Sequence, residues 1–177
     1  MKSLRYSFCF LLIVSLISCV NSNTQFITEY FKTNPELYKK KIHMEYFPIL
    51  PYNKINYPIE NSDKRIKVIN IISFGCNPCV EKMINWKKFL RNSKKSNKLD
   101  VIFFAIGDST EYFNYEIKKN NFPFPIFWDT SMTFLVKNQL LSYGKETFVL
   151  DETNEIILYG DPLTDKNLYD VFKKLIR

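Results

Sequence analysis

Two cysteines separated by two residues could carry out redox chemistry in this chain. Cys76 and Cys79 lie between an apolar run, residues 66–74, and a helix-period pattern over residues 78–91. A Cys-x-x-Cys at such a strand-to-helix turn is a redox-site signature. Unpaired backbone N–H groups and the helix dipole favour a thiolate on Cys76. Cys79 is close enough to attack a mixed disulfide at Cys76 and release the partner.

The first 18 residues are predicted to be a lipoprotein signal peptide. Lys2 and Arg5 precede an apolar block, residues 8–17, that is too short to be a comfortable membrane span. Residues 16–19, Leu-Ile-Ser-Cys, overlap the end of this block and resemble a bacterial lipobox, whose cysteine becomes the first mature residue and carries lipid. Lipid on Cys19 would hold the protein at a membrane surface. The alternatives are an ordinary secretory signal cut nearby and an uncleaved anchor.

The remaining cysteines are then accounted for. Of the four in the chain, Cys9 leaves with the signal peptide and Cys19 is consumed by lipid. Only the Cys76 and Cys79 pair remains, in a compartment where disulfides persist. A structural zinc site needs two more soft ligands, and the sole histidine is His43. We therefore expect no metal, and the sequence contains no nucleotide or flavin motif, so no cofactor is expected.

Composition restricts the choice of partners. The formal charge is +7 for the whole chain, and removing Lys2 and Arg5 leaves 7 − 2 = +5. The lysines are scattered and do not interleave with aromatic residues along one surface, so nucleic-acid binding is not expected. A basic surface could instead favour anionic membranes or acidic partners.

The alternation of strand and helix patterns predicts an α/β fold with a central mixed sheet that has a parallel core and helices on both faces. A C-terminal hairpin adds an antiparallel edge to this sheet and is followed by a helix. The predicted domains are a signal peptide (1–18), a lipid-attached tether with an N-terminal extension (19–60) and one domain (61–177). The extension is predicted to hold a short helix over 33–41 and an extended segment over 46–58. Predicted strands cover 66–74, 99–106, 122–128, 147–150 and 155–159, and predicted helices cover 78–91, 110–119, 132–140 and 165–177.

These features resemble thioredoxin-fold proteins of the TlpA/ResA type, the membrane-tethered thiol–disulfide oxidoreductases of the bacterial envelope, and most closely their lipoprotein branch. The resemblance spans residues 66–177 and rests on Asn70 six residues before Cys76, the Cys-Asn-Pro-Cys motif, the extra helix–strand unit at 110–128 and the closing hairpin and helix. It implies that Cys76 attacks and Cys79 resolves. It also implies envelope thiols and disulfides as substrates, an upstream electron donor, and a location facing the periplasm or cell exterior.

Three positions depart from related patterns. Gly75 stands where the family has tryptophan, which would leave Cys76 more open, and Asn70 stands where thioredoxin itself has a buried aspartate. Glu146 replaces a cis-proline before Thr147; since a cis bond at a non-proline residue costs about 3 kcal/mol, we expect a trans bond and a remodelled peptide-presenting loop. Near the sulfurs, a Glu146 carboxylate would oppose thiolate formation or accept a proton from Cys79; otherwise it is a solvated loop residue. The site-shaping residues are thus expected to be Gly75, Asn77, Pro78, Asn70, Glu146 and Thr147.

Three functions are compatible with the sequence. The first is an enzyme that reduces or exchanges disulfides in envelope proteins through its Cys-x-x-Cys motif. The second is a non-catalytic thioredoxin-fold lipoprotein in which the Cys76–Cys79 disulfide is a structural staple. The third is a peroxidase-like relative, which is disfavoured because the Thr-x-x-Cys motif of such enzymes, with its nearby arginine, is absent.

Overall fold

A computed structural model describes residues 27–44, 66–94 and 96–176. The predicted signal peptide, Cys19 and the predicted extended segment at 46–58 lie outside these ranges. The chain divides into two compact units, with the boundary between Leu37 and Tyr38. None of the helices within the described ranges is long and apolar enough to cross a membrane.

The second unit contains alternating strands and helices, as the hydrophobic pattern predicts. Its main elements follow in chain order: β1 (Ile66–Ser73), α1 (Asn77–Asn92), β2 (Leu99–Ile106), α2 (Glu111–Asn120), β3 (Ile126–Asp129), α3 (Thr133–Lys137), β4 (Thr147–Leu150), β5 (Ile156–Tyr159) and α4 (Lys166–Leu175).

The five strands form one mixed sheet in the order β3-β2-β1-β4-β5. β1 is central and runs parallel to β2, which is parallel to β3. β4 is antiparallel to β1 and continues into β5 through a hairpin. The predicted parallel core with an antiparallel edge is therefore confirmed. β1 is buried along most of its length because it has neighbours on both sides and helices above and below.

Helix α1 packs on the sheet through one face. Cys79, Met83 and Trp86 are buried, as their spacing predicts. Leu90 continues the same spacing but is only partly buried, because it lines an open cavity of about 560 Å³ near the end of the helix. Trp86 is fully buried and its ring meets the ring of Phe172 on α4 edge-on, at 5.9 Å between centroids.

The extension before the sheet does not form the predicted helix over 33–41. Two separate 3₁₀ turns, Phe31–Thr33 and Pro35–Leu37, are present instead. Asn34 leaves the helical conformation, with φ −142° and ψ 65°, because a residue that precedes proline is sterically disfavoured in the α region. Lys39 then has a positive φ of 60°, which ends any helical continuation.

Two other predicted boundaries were wrong. β3 begins at Ile126 rather than at residue 122, because Pro123 and Pro125 lack the N–H groups that a ladder requires. α3 covers only Thr133–Lys137 of the predicted 132–140. Its flanking residues Met132 and Gln139 both have positive φ, which the helical conformation does not allow.

Side-chain oxygens accept hydrogen bonds from the first amides of three helices. The hydroxyl of Thr110 accepts from the amide of Phe113 at 3.2 Å, and Asp165 accepts from the first-turn amides of α4. Asp129 accepts at 2.8 Å from each of the two amides that begin α3. These side chains replace partners that the first amides of a helix otherwise lack.

The hairpin between β4 and β5 is organised by Asp151. One carboxylate oxygen accepts from the amides of Thr153 (2.9 Å) and Glu155 (3.0 Å), and the other accepts from Lys39 at 2.9 Å. Burial alone would raise the pKa of Asp151, but hydrogen bonds from Glu155, Lys39 and Thr153 together lower it to about 2. The ionised carboxylate therefore stabilises this turn.

We expect Trp86→Ala to lower the free energy of unfolding by about 3–5 kcal/mol, because it leaves a large cavity between α1 and α4. The matched control is Tyr115→Ala at an aromatic residue that is 59% exposed, which we expect to change stability by less than about 0.5 kcal/mol. Urea denaturation of the oxidised protein measures both. Equal losses in the two variants would contradict the packing assigned to Trp86.

Asp151→Asn should produce a pH-dependent loss of stability. Since the folded pKa lies below the unfolded value of about 3.9, the native contribution is present above about pH 4 and is lost as the pH falls through about 2. The variant should be less stable than the parent by about 2 kcal/mol at pH 6, and the difference should vanish near pH 2. Unfolding measured across this range tests the prediction, and a difference independent of pH would refute it.

Candidate functional site

The two cysteines lie at the turn that joins β1 to α1. Cys76 and Cys79 are joined by a disulfide bond, with their Cα atoms 5.2 Å apart. The predicted exchange needs the two sulfurs to be close enough to bond, and the structure confirms that they are. Cys76 is the N-cap residue of α1, and Cys79 lies in its first turn.

The two sulfurs differ in their accessibility. Cys76 is partly exposed and is flanked by the exposed residues Gly75, Asn77 and Pro78. Cys79 is only 7% exposed and faces the sheet. A protein partner approaching this surface therefore meets Cys76 first, while Cys79 lies behind it.

The start of α1 offers fewer free donors than the sequence analysis assumed. The carbonyl of Cys76 accepts from the amides of Cys79 (3.0 Å) and Val80 (3.3 Å), and Pro78 has no N–H. Within the described residues, the first-turn amide left without a backbone acceptor is that of Asn77. The helix dipole still favours a thiolate at this end, but direct hydrogen bonding from the first turn is limited.

The backbone conformation at position 75 explains why this residue is glycine. Its φ is +76°, a left-handed value that glycine adopts without strain and that a tryptophan would not. A Cβ atom at this position would also contact the Thr110 side chain at 3.6 Å. Aromatic residues lie beside the turn instead, with the ring of Phe74 at 4.8 Å from that of Phe113 and 6.4 Å from that of Trp128.

Asn70 and Thr147 form a buried polar contact between β1 and β4. They are register partners in the antiparallel pair, and the Thr147 hydroxyl donates to Asn70 Oδ1 at 3.0 Å. Asn70 is 0% and Thr147 1% exposed. The Nδ2 group of Asn70 is buried without a hydrogen-bond acceptor. The structure thus brings together two of the residues that were predicted to shape the site.

Glu146 adjoins the same strand pair. The peptide bond before it is trans, as expected. Its carbonyl accepts from the amide of Ile71 at 2.7 Å, which extends the contact between β4 and β1. Its carboxylate is not merely solvated: although 68% exposed, it accepts a hydrogen bond from Lys82 on α1 at 3.0 Å.

Two charged residues near the site were missed by the sequence analysis. Lys82 lies three residues after Cys79, a spacing that places both on neighbouring positions of one helix face, so the pattern Cys-x-x-Lys could have indicated it. Asp161 follows β5 and interacts electrostatically with both Lys82 and Glu146. No local pattern marks Asp161, because only the pairing of β4 with β5 brings it here.

Comparisons with known proteins address the fold. No protein-family model and no curated protein matches the chain. Solved structures do match. A thiol-disulfide oxidoreductase from Bacteroides fragilis superposes with a TM-score of 0.55 at 18% identity, over 73% of this chain and 96% of the other. A thioredoxin-related protein from Neisseria meningitidis gives 0.54 at 16% identity, over 73% and 98%. A thioredoxin-like protein solved in its oxidised form gives 0.55 at 14% identity, over 78% and 98%.

The chain has a thioredoxin fold. The central mixed sheet flanked by helices, the antiparallel hairpin and the closing helix of the predicted fold class are confirmed. In this thioredoxin fold the disulfide occupies the turn between the central strand and the first long helix, where both elements are buried and rigid.

We expect Thr147→Val to lower the free energy of unfolding by about 1–3 kcal/mol, because the Asn70 carboxamide would lose the hydroxyl that donates to it while remaining buried. The double variant Asn70→Leu with Thr147→Val should lose less, since it leaves no unsatisfied polar group. Thr130→Val, at an exposed turn residue, is the control. If the double variant loses more unfolding free energy than Asn70→Leu and Thr147→Val lose together as single variants, the assigned contact is wrong.

Proposed function

We propose that this protein is a membrane-tethered thiol–disulfide oxidoreductase that reduces or exchanges disulfides in proteins of the bacterial envelope. The observation that carries this proposal is the pair Cys76 and Cys79, bonded at the N-terminus of α1 with the first sulfur accessible and the second covered. This asymmetry suits a reaction in which one sulfur meets the substrate and the other completes the exchange. The thioredoxin fold of the solved thiol-disulfide oxidoreductase supports the same function.

The reaction consists of two sulfur displacements. The Cys76 thiolate attacks a substrate disulfide; a Cys76–substrate bond forms, and the other substrate sulfur leaves as a thiolate that takes up a proton. Cys79 then gives up its proton, and its sulfur attacks that of Cys76. The Cys76–Cys79 bond forms as the second substrate sulfur leaves. Two electrons pass from the protein dithiol to the substrate, and a donor dithiol restores the reduced pair through the reverse steps.

The surroundings of the pair support this division of roles. The helix dipole of α1 acts on Cys76, which is the N-cap residue. Gly75, with its left-handed backbone, leaves no side chain directly before the attacking sulfur. Asn77 and Pro78 are exposed, so a substrate polypeptide can approach the turn without a conformational change. Asn70 and Thr147 fix the strands on which this turn depends.

The location of the protein follows from its N-terminal sequence. A lipobox-like segment that ends at Cys19 would be cleaved and lipidated, which places the domain at a membrane surface in the envelope. Disulfides persist in that compartment and need enzymes that exchange them. The partners are therefore envelope protein thiols and disulfides and an upstream electron donor.

The Cys79→Ser variant tests the proposal directly. Without the second sulfur, a mixed disulfide at Cys76 cannot be released by internal attack, so envelope proteins should accumulate as covalent adducts. We expect adducts on non-reducing gels that disappear on reduction, and mass spectrometry should place them at Cys76.

The matched control is Cys76→Ser, which keeps only the covered sulfur and should trap at least tenfold less. A parallel titration of the parent should give a reduction potential within the range of known oxidoreductases and a Cys76 that alkylates well below about pH 8. Capture of small thiols alone, together with an inert Cys76 and a strongly reducing potential, would refute the proposal in favour of a structural staple.

A further inference from the structure

Charged side chains from α1, from the segment before β4 and from the segment after β5 interact near the second turn of α1, the turn that follows Cys79. Lys82 projects from α1, and its ammonium donates to Glu146 Oε2 at 3.0 Å. The lysine side chain is only 16% exposed, whereas that of Glu146 is 68% exposed. The ion pair thus joins the redox helix to the segment that leads into β4, with its cation largely covered by protein.

The backbone fixes the position of Glu146. Its carbonyl accepts from Ile71 at 2.7 Å, and the next residue, Thr147, is the register partner of Asn70. Glu146 therefore lies at the end of the β1–β4 ladder nearest the turn with Cys76. Its carboxylate can reach α1 because the end of β1, which leads to α1, and the start of β4 lie at the same edge of the sheet.

Asp161 brings a second carboxylate to this region. The amide of Gly160 donates to the carbonyl of Thr147 at 2.7 Å, which places the following residue alongside Glu146. Burial raises the pKa of Asp161 above its ordinary value, and the charge of Glu146 raises it further. An amide hydrogen bond from Leu163 and the charge of Lys82 act in the opposite direction without cancelling this rise. Lys82 is therefore a cation that interacts with both acidic groups.

Helix geometry links Lys82 to the resolving cysteine. Residues three apart on an α-helix are surface neighbours, with Cβ atoms about 5–6 Å apart. A cation that is largely covered by protein is screened less by solvent than an exposed one. When the disulfide opens, the sulfur of Cys79 carries negative charge as it attacks or leaves, and a positive charge on a neighbouring position of the helix lowers the free energy of that form.

We propose that Lys82 is a positioning residue that favours the thiolate of Cys79, and that Glu146 limits this effect by holding and partly neutralising the ammonium. This inference rests on the proposed function and deepens it, because it assigns the charge that governs the second sulfur displacement. Two opposite consequences follow. Removing the lysine charge disfavours the Cys79 thiolate, and removing the Glu146 charge favours it.

The test measures alkylation of Cys79 in a Cys76→Ser background. Iodoacetamide is added over a range of pH, and mass spectrometry follows the peptide that contains Cys79, so that other cysteines do not interfere. At pH 7 we expect Lys82→Met to slow alkylation by about three- to tenfold. Glu146→Gln should accelerate it by about two- to fivefold, because the ammonium is then unopposed by that carboxylate.

Matched variants separate charge from structure. Lys88→Met removes an exposed lysine from the same helix and should change the rate by less than about 1.5-fold. Lys82→Arg keeps the positive charge and should restore most of the parental rate. With both cysteines present, Lys82→Met should make the pair more reducing and Glu146→Gln more oxidising, because a stabilised thiolate stabilises the reduced form.

The proposal is overturned if the Lys82→Met and Glu146→Gln variants shift the rate in the same direction, which would mean that the ion pair only holds the structure together, or if neither shifts it. Failure of the proposed function gives a different result. In that case the parent exchanges with no disulfide substrate, yet the two charge variants still move Cys79 alkylation in opposite directions.

Discussion

The antiparallel pairing of β4 with β1 is the constraint on which the site depends. β1 delivers the chain to the turn with the two cysteines, and β4 begins beside that turn. The buried contact between Asn70 and Thr147 adds a side-chain hydrogen bond to the backbone bonds and apolar packing of this strand pair. A shift of one residue in this register would turn Thr147 to the opposite face and move Glu146 away from α1.

A site built this way keeps its reactive atoms on rigid elements. Cys79 is buried against the sheet, and Trp86, two turns further along α1, is locked against α4. The turn before the helix needs an unusual backbone conformation, because Gly75 adopts a left-handed φ there. In the proposed exchange reaction, the short separation of the two cysteines at the start of one helix favours intramolecular attack over escape of the intermediate.

A proline at position 146 could not form the ion pair that Glu146 makes with Lys82. Proline carries no charge and no N–H, whereas Glu146 supplies a carboxylate that meets Lys82. The ion pair is partly exposed, so its contribution to stability is small. The Lys82 ammonium also interacts with Asp161, and in the proposal above these three charges act on the thiolate of Cys79.

The sequence alone determined the order and type of the elements in the second unit, because strand and helix periodicities are local properties that burial on a sheet reinforces. It also identified the cysteine pair, since its spacing and its place between β1 and α1 are read along the chain. Boundaries were wrong where local backbone preferences competed with periodicity, as at Asn34 before proline and at Met132 with its positive φ. These are decided by sterics at single residues.

Tertiary structure alone decided which distant residues surround the sulfurs. Lys82 could have been found from helix periodicity, but its partner Glu146 is 64 residues away, and Asp161 is later still in the chain. Such contacts arise only when strands far apart in sequence pair in a particular register, and no local pattern encodes that register. The two cysteines are thus identifiable from the sequence, whereas the interaction of Lys82 with Glu146 and Asp161 is created by the fold.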